Sequence, residues 1–133
     1  MEPIATFIQT FVEADRQERY IELSRKLKRR RDFVWEIAHL GRHLRYDLMQ
    51  TLRAHEATLS SVSSLLKSMK AGDTCFVVAS TNSEIDNREM RTDEALAAVV
   101  GTWEDSLIFF PEASVAYYVN HDGIQRVLRP KAL

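Results

Sequence analysis

Cysteine, proline and glycine are all scarce in this chain of 133 residues, and each scarcity excludes a class of structure. A single cysteine, Cys75, leaves no internal disulfide possible, which fits a reducing compartment rather than a disulfide-stapled secreted domain. Cys75 lies in an apolar run, so we expect a buried and unreactive thiol. With three prolines and four glycines, the chain has no low-complexity linker, and it contains no internal repeat.

Long hydrophobic runs are also missing. The longest, at 74–79 and 107–110, are far shorter than the roughly 20 residues that a membrane-spanning helix requires. The first residues, Met1-Glu2-Pro3-Ile4, lack the basic and apolar regions of a secretory signal. We therefore expect a cytoplasmic protein that makes no membrane contact. No glycine-rich phosphate-binding loop is present, and we expect no cofactor.

The net charge of −1 conceals a separation of charge along the chain. Residues 16–53 contain eleven basic and five acidic side chains, whereas residues 71–133 contain five basic and ten acidic ones. Such a separation is typical of a polyanion-binding face. It is equally typical of two parts that attract each other, within one chain or across a dimer.

Glycine and proline are nearly absent from the first 70 residues, where apolar side chains recur at spacings of three and four. From Leu52 onward the spacing alternates strictly, as in a coiled-coil heptad seam. We predict a helix over residues 32–70, which would be roughly 55–60 Å long. A turn near residues 29–32 would separate it from a first helix. One continuous helix over residues 17–70 is the alternative.

The remainder of the chain changes in character and predicts a β-α-β-β-β segment. The expected strands lie at 74–80, 106–110, 115–120 and 124–128, and the short helix lies at 94–100. We therefore expect an α+β fold. Residues 1–70 would form the long helices, as a helical hairpin or a coiled-coil-like segment. Residues 71–133 would form a small four-stranded, mainly antiparallel sheet, in one compact unit with the helices.

The predicted long helix also suggests a function, because a helix of that length overhangs so small a domain unless another element packs along it. We expect a non-enzymatic interaction or regulatory module that self-associates as a homodimer, with another protein as a possible partner. The residues expected at the interface are Leu52, Leu59, Val62 and Leu66. The absence of a catalytic constellation favours this interpretation over an enzyme.

The basic run at residues 25–31 supports an alternative function. Lys28, Arg29, Arg30 and Arg31 could bind nucleic acid or another anion through phosphate contacts. The run lacks the asparagine and small side chains with which basic-helix DNA readers contact base edges. Nucleic-acid binding is therefore a possible function but not the favoured one, and a solvated or partner-facing helix face is preferred.

His39, His43 and Asp47 recur every four residues, which places them on one face of the predicted helix. Two imidazoles and a carboxylate are suitable ligands for zinc or iron, so a small metal-binding protein or enzyme is the third alternative. A single helix cannot supply a full ligand set. His121 or Glu84 could complete it, although no spacing indicates this. An ordinary helix flank is the interpretation that we favour.

The polar residues at 80–91 follow a predicted buried strand. In α/β sheets, ligands gather at the carboxyl ends of strands, and Glu84, Asp86, Arg88 and Glu89 could serve such a site. We expect a solvated connection here rather than a site.

Overall fold

The computed structural model describes residues 2–131, which form helices on both sides of a six-stranded sheet. Short 3-10 turns connect several of these elements. The helices are α1 (Pro3–Phe11), α2 (Gln17–Ser24), α3 (Arg30–Val34), a π-helix (Trp35–His39), α4 (Leu59–Ser68) and α5 (Thr92–Val99). The strands are β1 (Met49–Thr51), β2 (Thr74–Ala79), β3 (Arg88–Arg91), β4 (Ser106–Phe110), β5 (Val115–Val119) and β6 (Gln125–Leu128).

The sheet is antiparallel throughout and has the strand order β1-β6-β5-β4-β2-β3. Strands β4 and β5 lie at its centre and are fully buried. Successive side chains of a strand point to opposite faces. Phe109 and Tyr118 therefore enter one core, while Phe110 and Tyr117 enter the other. The result is a three-layer arrangement with helices on each side of one sheet.

The N-terminal helices cover one face of the sheet. Phe7 and Phe11 of α1 contact Phe109 edge-on, with ring centroids 5.6 and 6.5 Å from it. Tyr20 of α2 and Phe33 of α3 are buried in the same cluster. This aromatic packing fixes the helices on the sheet and so positions the π-helix that follows α3.

Helices α4 and α5 cover the other face. Val62 and Leu66 of α4 and Leu96 of α5 are buried against this side of the sheet. The side chain of Thr58 caps α4 by accepting a hydrogen bond of 3.2 Å from the backbone N–H of Ser61. Within residues 2–131, no helix is both long enough and apolar enough to cross a membrane.

The long helix predicted over residues 32–70 is wrong. The helical path ends near His39, because Gly41 and His43 adopt left-handed backbone with φ of 60° and 61°. The chain then forms a 3-10 turn and strand β1, and a helix begins again only at α4. The apolar side chains at spacings of three and four here belong to several short elements in succession, and not to one helix. The helical hairpin and the coiled coil are therefore absent from the described residues.

The predicted four-stranded sheet is also wrong, although the α+β class is confirmed. Strand β1 lies within the predicted helix and pairs with β6, and strand β3 lies within the predicted polar connection and pairs with β2. Both are short edge strands with mostly exposed residues, so they lack the apolar pattern that marks a buried strand. The other four strands and α5 lie within two residues of their predicted bounds.

Candidate metal site and adjoining cleft

Two histidines and one aspartate from three separate elements converge beside the sheet. His39 ends the π-helix, Asp105 directly precedes β4, and His121 lies in the turn between β5 and β6. Each side chain offers one ligand atom, and the three atoms lie within 4.8 Å of one another. Within residues 2–131, this is the only group of three or more such side chains close enough to share a metal ion. We call it the His–Asp–His cluster.

Asp105 is the buried centre of the cluster, with a side chain that is 7 % exposed. Its Oδ2 lies 2.5 Å from Nδ1 of His39, and its Oδ1 lies 3.0 Å from Nδ1 of His121. Oδ1 also accepts a hydrogen bond of 2.8 Å from the backbone N–H of His121. The register of β4 with β5 sets this arrangement, because Ser106 pairs with Val119 and so brings Asp105 beside the following turn. Each carboxylate oxygen therefore has a partner, as a buried charge requires.

The π-helix fixes the position of His39. Its characteristic bond, from the N–H of Leu40 to the carbonyl of Trp35, spans five residues and measures 3.0 Å. The hydroxyl of Tyr118 donates a hydrogen bond of 2.9 Å to the carbonyl of Ala38 and ties this turn to β5. Burial, with a smaller effect of the Asp105 charge, raises the pKa of Tyr118 to about 12, so the hydroxyl remains a donor. Turns of the π type are rare and occur frequently at functional sites.

The turn at residues 120–123 holds His121 and lies between the strands predicted at 115–120 and 124–128. Oδ1 of Asn120 accepts hydrogen bonds of 3.0 Å from the N–H groups of Asp122 and Ile124, and Gly123 has a φ of 77°. The hydrogen bond to Asp105 raises the pKa of His121. The side chain of His121 is 49 % exposed, so the cluster can be reached from solvent on this side.

Trp35, His39 and His121 form a stack of three rings. The ring centroids lie 3.9 Å apart between Trp35 and His39 and 4.5 Å apart between His39 and His121, with interplanar angles of 21° and 14°. The first two rings belong to the π-helix, whereas the third comes from the turn after β5. Stacking of this kind restricts ring rotation. It therefore helps to keep both Nδ1 atoms directed at Asp105.

An open cleft of about 550 Å³ adjoins the cluster. It lies at the carboxyl end of β2, between α3 and the connection to β3, and both His39 and Asp105 line it. Arg30 and Asp86 form an ion pair with two hydrogen bonds of 2.6 and 3.0 Å, which ties α3 to this connection. Trp35 is a further lining residue and is 53 % exposed. The cleft thus combines an aromatic surface, two charged groups already paired, and two side chains of the cluster.

Of the metal ligands predicted from the helix face, only His39 belongs to the cluster. Nδ1 of His43 lies 3.6 Å from a carboxylate oxygen of Glu13. Asp47 pairs with Arg45 at 3.0 Å, and this hydrogen bond holds the pKa of Asp47 below its ordinary value. The spacing of four joins these residues only on a continuous helix, and the helix ends before His43.

The basic run at residues 25–31 is largely ion-paired. Arg25 pairs with Glu2, Lys26 with Glu22, Arg29 with Asp32 and Arg30 with Asp86. Among the described residues, Lys28 and Arg31 have no acidic partner within 4.0 Å. Arg31 lines the cleft. Much of the charge expected to face a polyanion is therefore neutralised within the chain.

The residues predicted at a dimer interface lie mainly in the core of the chain itself. Val62 and Leu66 of α4 are fully buried against the sheet, and Leu52, which follows β1, is 8 % exposed. Leu59, at 45 % exposed, is the one of the four that faces solvent. Three of the four side chains are thus occupied by contacts within the chain.

Asp105 and Trp35 are the site residues that the sequence does not indicate. Asp105 follows Glu104 ahead of a strand, which is a common pattern in any solvated connection. His121 carries a signal, because the turn motif around it predicts an exposed loop and makes it available as a ligand. Only the pairing of β4 with β5 brings it to Asp105.

No protein-family model, no curated protein and no solved structure matches this chain. The geometry of the His–Asp–His cluster and its cleft is therefore the basis on which a function is assigned.

Proposed function

We propose that this protein binds a divalent metal ion such as Zn²⁺ or Fe²⁺ through His39, Asp105 and His121. The observation that carries the proposal is the convergence of three ligand-type side chains, from distant positions in the chain, within 4.8 Å. Two imidazoles and a carboxylate match the ligand preferences of Zn²⁺ and of Fe²⁺. Mg²⁺ and Ca²⁺ prefer oxygen ligands, so the two imidazoles argue against them.

The ligand atoms lie close enough together to converge on one such ion. In a tetrahedral zinc site with bonds of about 2.0–2.1 Å, neighbouring ligand atoms lie about 3.3–3.5 Å apart. The two Nδ1 atoms lie 2.5 and 3.0 Å from the oxygens of Asp105, so the rings and the carboxylate would have to move apart to hold the ion. The ion would neutralise the buried carboxylate and replace the hydrogen bonds between it and the rings.

Three protein ligands leave at least one coordination position for water or a substrate, as in catalytic rather than structural zinc sites. Because His39 and Asp105 both line the cleft, that position would border it. This supports an ion that binds a ligand or activates water. A purely structural role for the ion is the weaker interpretation.

Self-association and nucleic-acid binding, both expected from the sequence, stay predictions. Self-association has lost its original basis, because the long helix is replaced by short elements and three of the four interface residues are buried. Nucleic-acid binding has less support than before, because four of the basic side chains at residues 25–31 form ion pairs within the chain. Neither has an observation in its favour comparable to the His–Asp–His cluster.

Calorimetric titration of Zn²⁺ into tag-free protein, after removal of metal with a chelator, tests the proposal. We expect saturable binding of one ion per chain. His121→Gln should weaken the affinity for zinc at least tenfold, because it removes one of the three ligands. The side chain of His121 is 49 % exposed, so removing its imidazole should leave the core intact. His43→Gln and His55→Gln should bind zinc as the unmodified protein does, since both histidines lie outside the cluster.

Circular dichroism of each variant checks that the fold is retained. Equal losses of affinity in His43→Gln and His121→Gln would contradict the assignment of ligands. A loss of affinity in His43→Gln that His121→Gln does not share would favour the face formed by His39, His43 and Asp47. An absence of saturable zinc binding to the unmodified protein would overturn the proposal itself.

A further inference from the structure

We infer that the cleft beside the His–Asp–His cluster binds a small aromatic carboxylate. Its carboxylate group would take the open position on the metal ion, and its ring would pack on Trp35. The inference rests on the proposed metal site and adds the chemical class of the ligand. It follows from the charge of the cleft, the surface of Trp35 and the size of the space.

The charge of the cleft favours an anion. Arg30 and Asp86 neutralise each other through two short hydrogen bonds. A divalent ion coordinated by Asp105 keeps one net positive charge, and Arg31 adds another at the lining of the cleft. Arg31 has no acidic partner within 4.0 Å among residues 2–131, so its guanidinium is available to the ligand.

The aromatic part of the ligand is indicated by Trp35. One face of the indole is stacked on His39, yet the side chain is 53 % exposed, which is unusual for so large an apolar group. Val34 and Ala79 continue the apolar lining beside it. A planar ring can therefore pack on the indole and these side chains while the carboxylate reaches the ion.

The size of the cleft limits the ligand. A volume of about 550 Å³ lies within the range of about 300–1,000 Å³ that is typical of small-molecule sites. Ser80 and Thr81 line the cleft as well and add hydroxyl groups. The cleft therefore suits one or two fused rings rather than a polymer chain.

Calorimetric titration of 2-naphthoate into the zinc-loaded protein tests the inference. We expect saturable one-to-one binding that falls at least tenfold when zinc is removed. The neutral isostere 2-naphthalenemethanol should bind at least tenfold more weakly, because it lacks the anionic group. Acetate should also bind at least tenfold more weakly, because it lacks the ring.

Two pairs of variants separate the roles of charge and ring. Arg31→Gln should weaken naphthoate binding at least fivefold, whereas Lys28→Gln changes a cation of the same basic run outside the cleft and should have no effect. Trp35→Ala should weaken binding at least fivefold and Trp35→Phe should restore most of it. Leu27→Ala, at an exposed apolar residue outside the cleft, should bind as the unmodified protein does.

All variants are titrated at saturating zinc, with their zinc content measured, so that a weaker metal site is not mistaken for a weaker ligand site. Zinc binding without naphthoate binding would overturn the inference and leave the proposed metal site intact. Naphthoate binding that neither Arg31→Gln nor Trp35→Ala weakens would also overturn the inference and leave the proposed metal site intact. Naphthoate binding that is equal with and without zinc would overturn coordination by the ion. An absence of zinc binding would overturn the proposed function first.

Discussion

At the scale of single residues, the carboxylate of Asp105 has three polar contacts. Its carboxylate accepts hydrogen bonds from the backbone N–H of His121 and faces the imidazoles of His39 and His121, although the side chain is almost entirely buried. An amide in its place offers one acceptor oxygen where the carboxylate offers two, and it carries no negative charge. The stability of the site and its ability to bind metal therefore depend on the same side chain.

Asp105→Asn should destabilise the metal-free protein by about 2–4 kcal/mol, because hydrogen bonds to a buried charged group contribute about 1.5–3 kcal/mol each. Urea denaturation with and without excess zinc measures this. Zinc should raise the denaturation midpoint of the unmodified protein and not that of Asp105→Asn. An equal rise in both proteins would place the ion elsewhere.

Cys75 should be inert in the native protein, as the sequence predicts. Burial, with a smaller effect of the Glu89 charge, raises the pKa of the thiol to about 12, so at pH 8 about one thiol in ten thousand is ionised. A disulfide reagent such as 5,5′-dithiobis(2-nitrobenzoic acid) should react with it only as the protein opens, and rapidly once it is unfolded. Rapid stoichiometric labelling of the folded protein would contradict this burial.

At the scale of elements, the segment from the π-helix to Leu44 decides where His39 lies. Gly41 adopts a left-handed conformation with φ of 60°, and a Cβ built there would lie 3.4 Å from the Tyr118 hydroxyl, the group that holds Ala38. Gly41, which follows the π-helix, therefore lies close to Tyr118, the residue of β5 that holds the π-helix in place. Changes there should affect both stability and the metal site.

Gly41→Ala should cost about 1–2 kcal/mol of stability, because a left-handed backbone is unfavourable for alanine. It should also weaken zinc binding severalfold by displacing His39. Gly101→Ala is the matched control, since Gly101 has φ of 83° and nothing lies within 4 Å of a Cβ built there. Denaturation and zinc titration of both variants measure these effects. Equal losses of zinc affinity in Gly41→Ala and Gly101→Ala would contradict a role for Gly41 in positioning His39.

The elements also explain how much could be predicted. Strands β2, β4 and β5 follow from apolar runs with β-branched and aromatic residues, and β6 follows β5 across a turn. The edge strands could not be found in this way. Met49–Thr51 becomes a strand only because β6 supplies hydrogen-bond partners, and Arg88–Arg91 only because β2 does.

The candidate site was even less accessible from sequence than the edge strands. The sequence gives His39 as a candidate ligand and pairs it with His43 and Asp47, which a helical spacing of four would join. It names His121 only as a residue that could complete the set. A π-helix and two left-handed residues break that spacing. The true neighbour, Asp105, lies 66 residues away from His39 and reaches it through the sheet register.

At the scale of the whole molecule, the separated charges meet within one chain. The ion pair between Arg30 and Asp86 joins the basic part to the acidic part and is mostly shielded from solvent. Of the two explanations left open by the sequence, attraction between parts of the chain therefore has a direct contact in its support. The same ion pair shapes one side of the cleft.

We predict that the two cores on either side of the sheet form without a second chain, and Leu66→Ala tests this. This substitution should cost about 2–5 kcal/mol, because Leu66 is buried between α4 and the sheet. Leu59→Ala, at the exposed position of α4, should cost far less. In urea denaturation, the midpoints should not change between 1 µM and 100 µM protein. A midpoint that rises with concentration would instead show that self-association stabilises the protein.

The proposed metal site is tested most directly by NMR of the four histidine side chains during a zinc titration. Long-range correlations between ring protons and ring nitrogens identify each imidazole and the nitrogen that binds. We predict that Nδ1 of His39 and Nδ1 of His121 shift together and saturate at one zinc per chain, while His43 and His55 do not change. Saturating shifts of His39 with His43, or an unchanged His121, would contradict the assignment of the site to His39, Asp105 and His121.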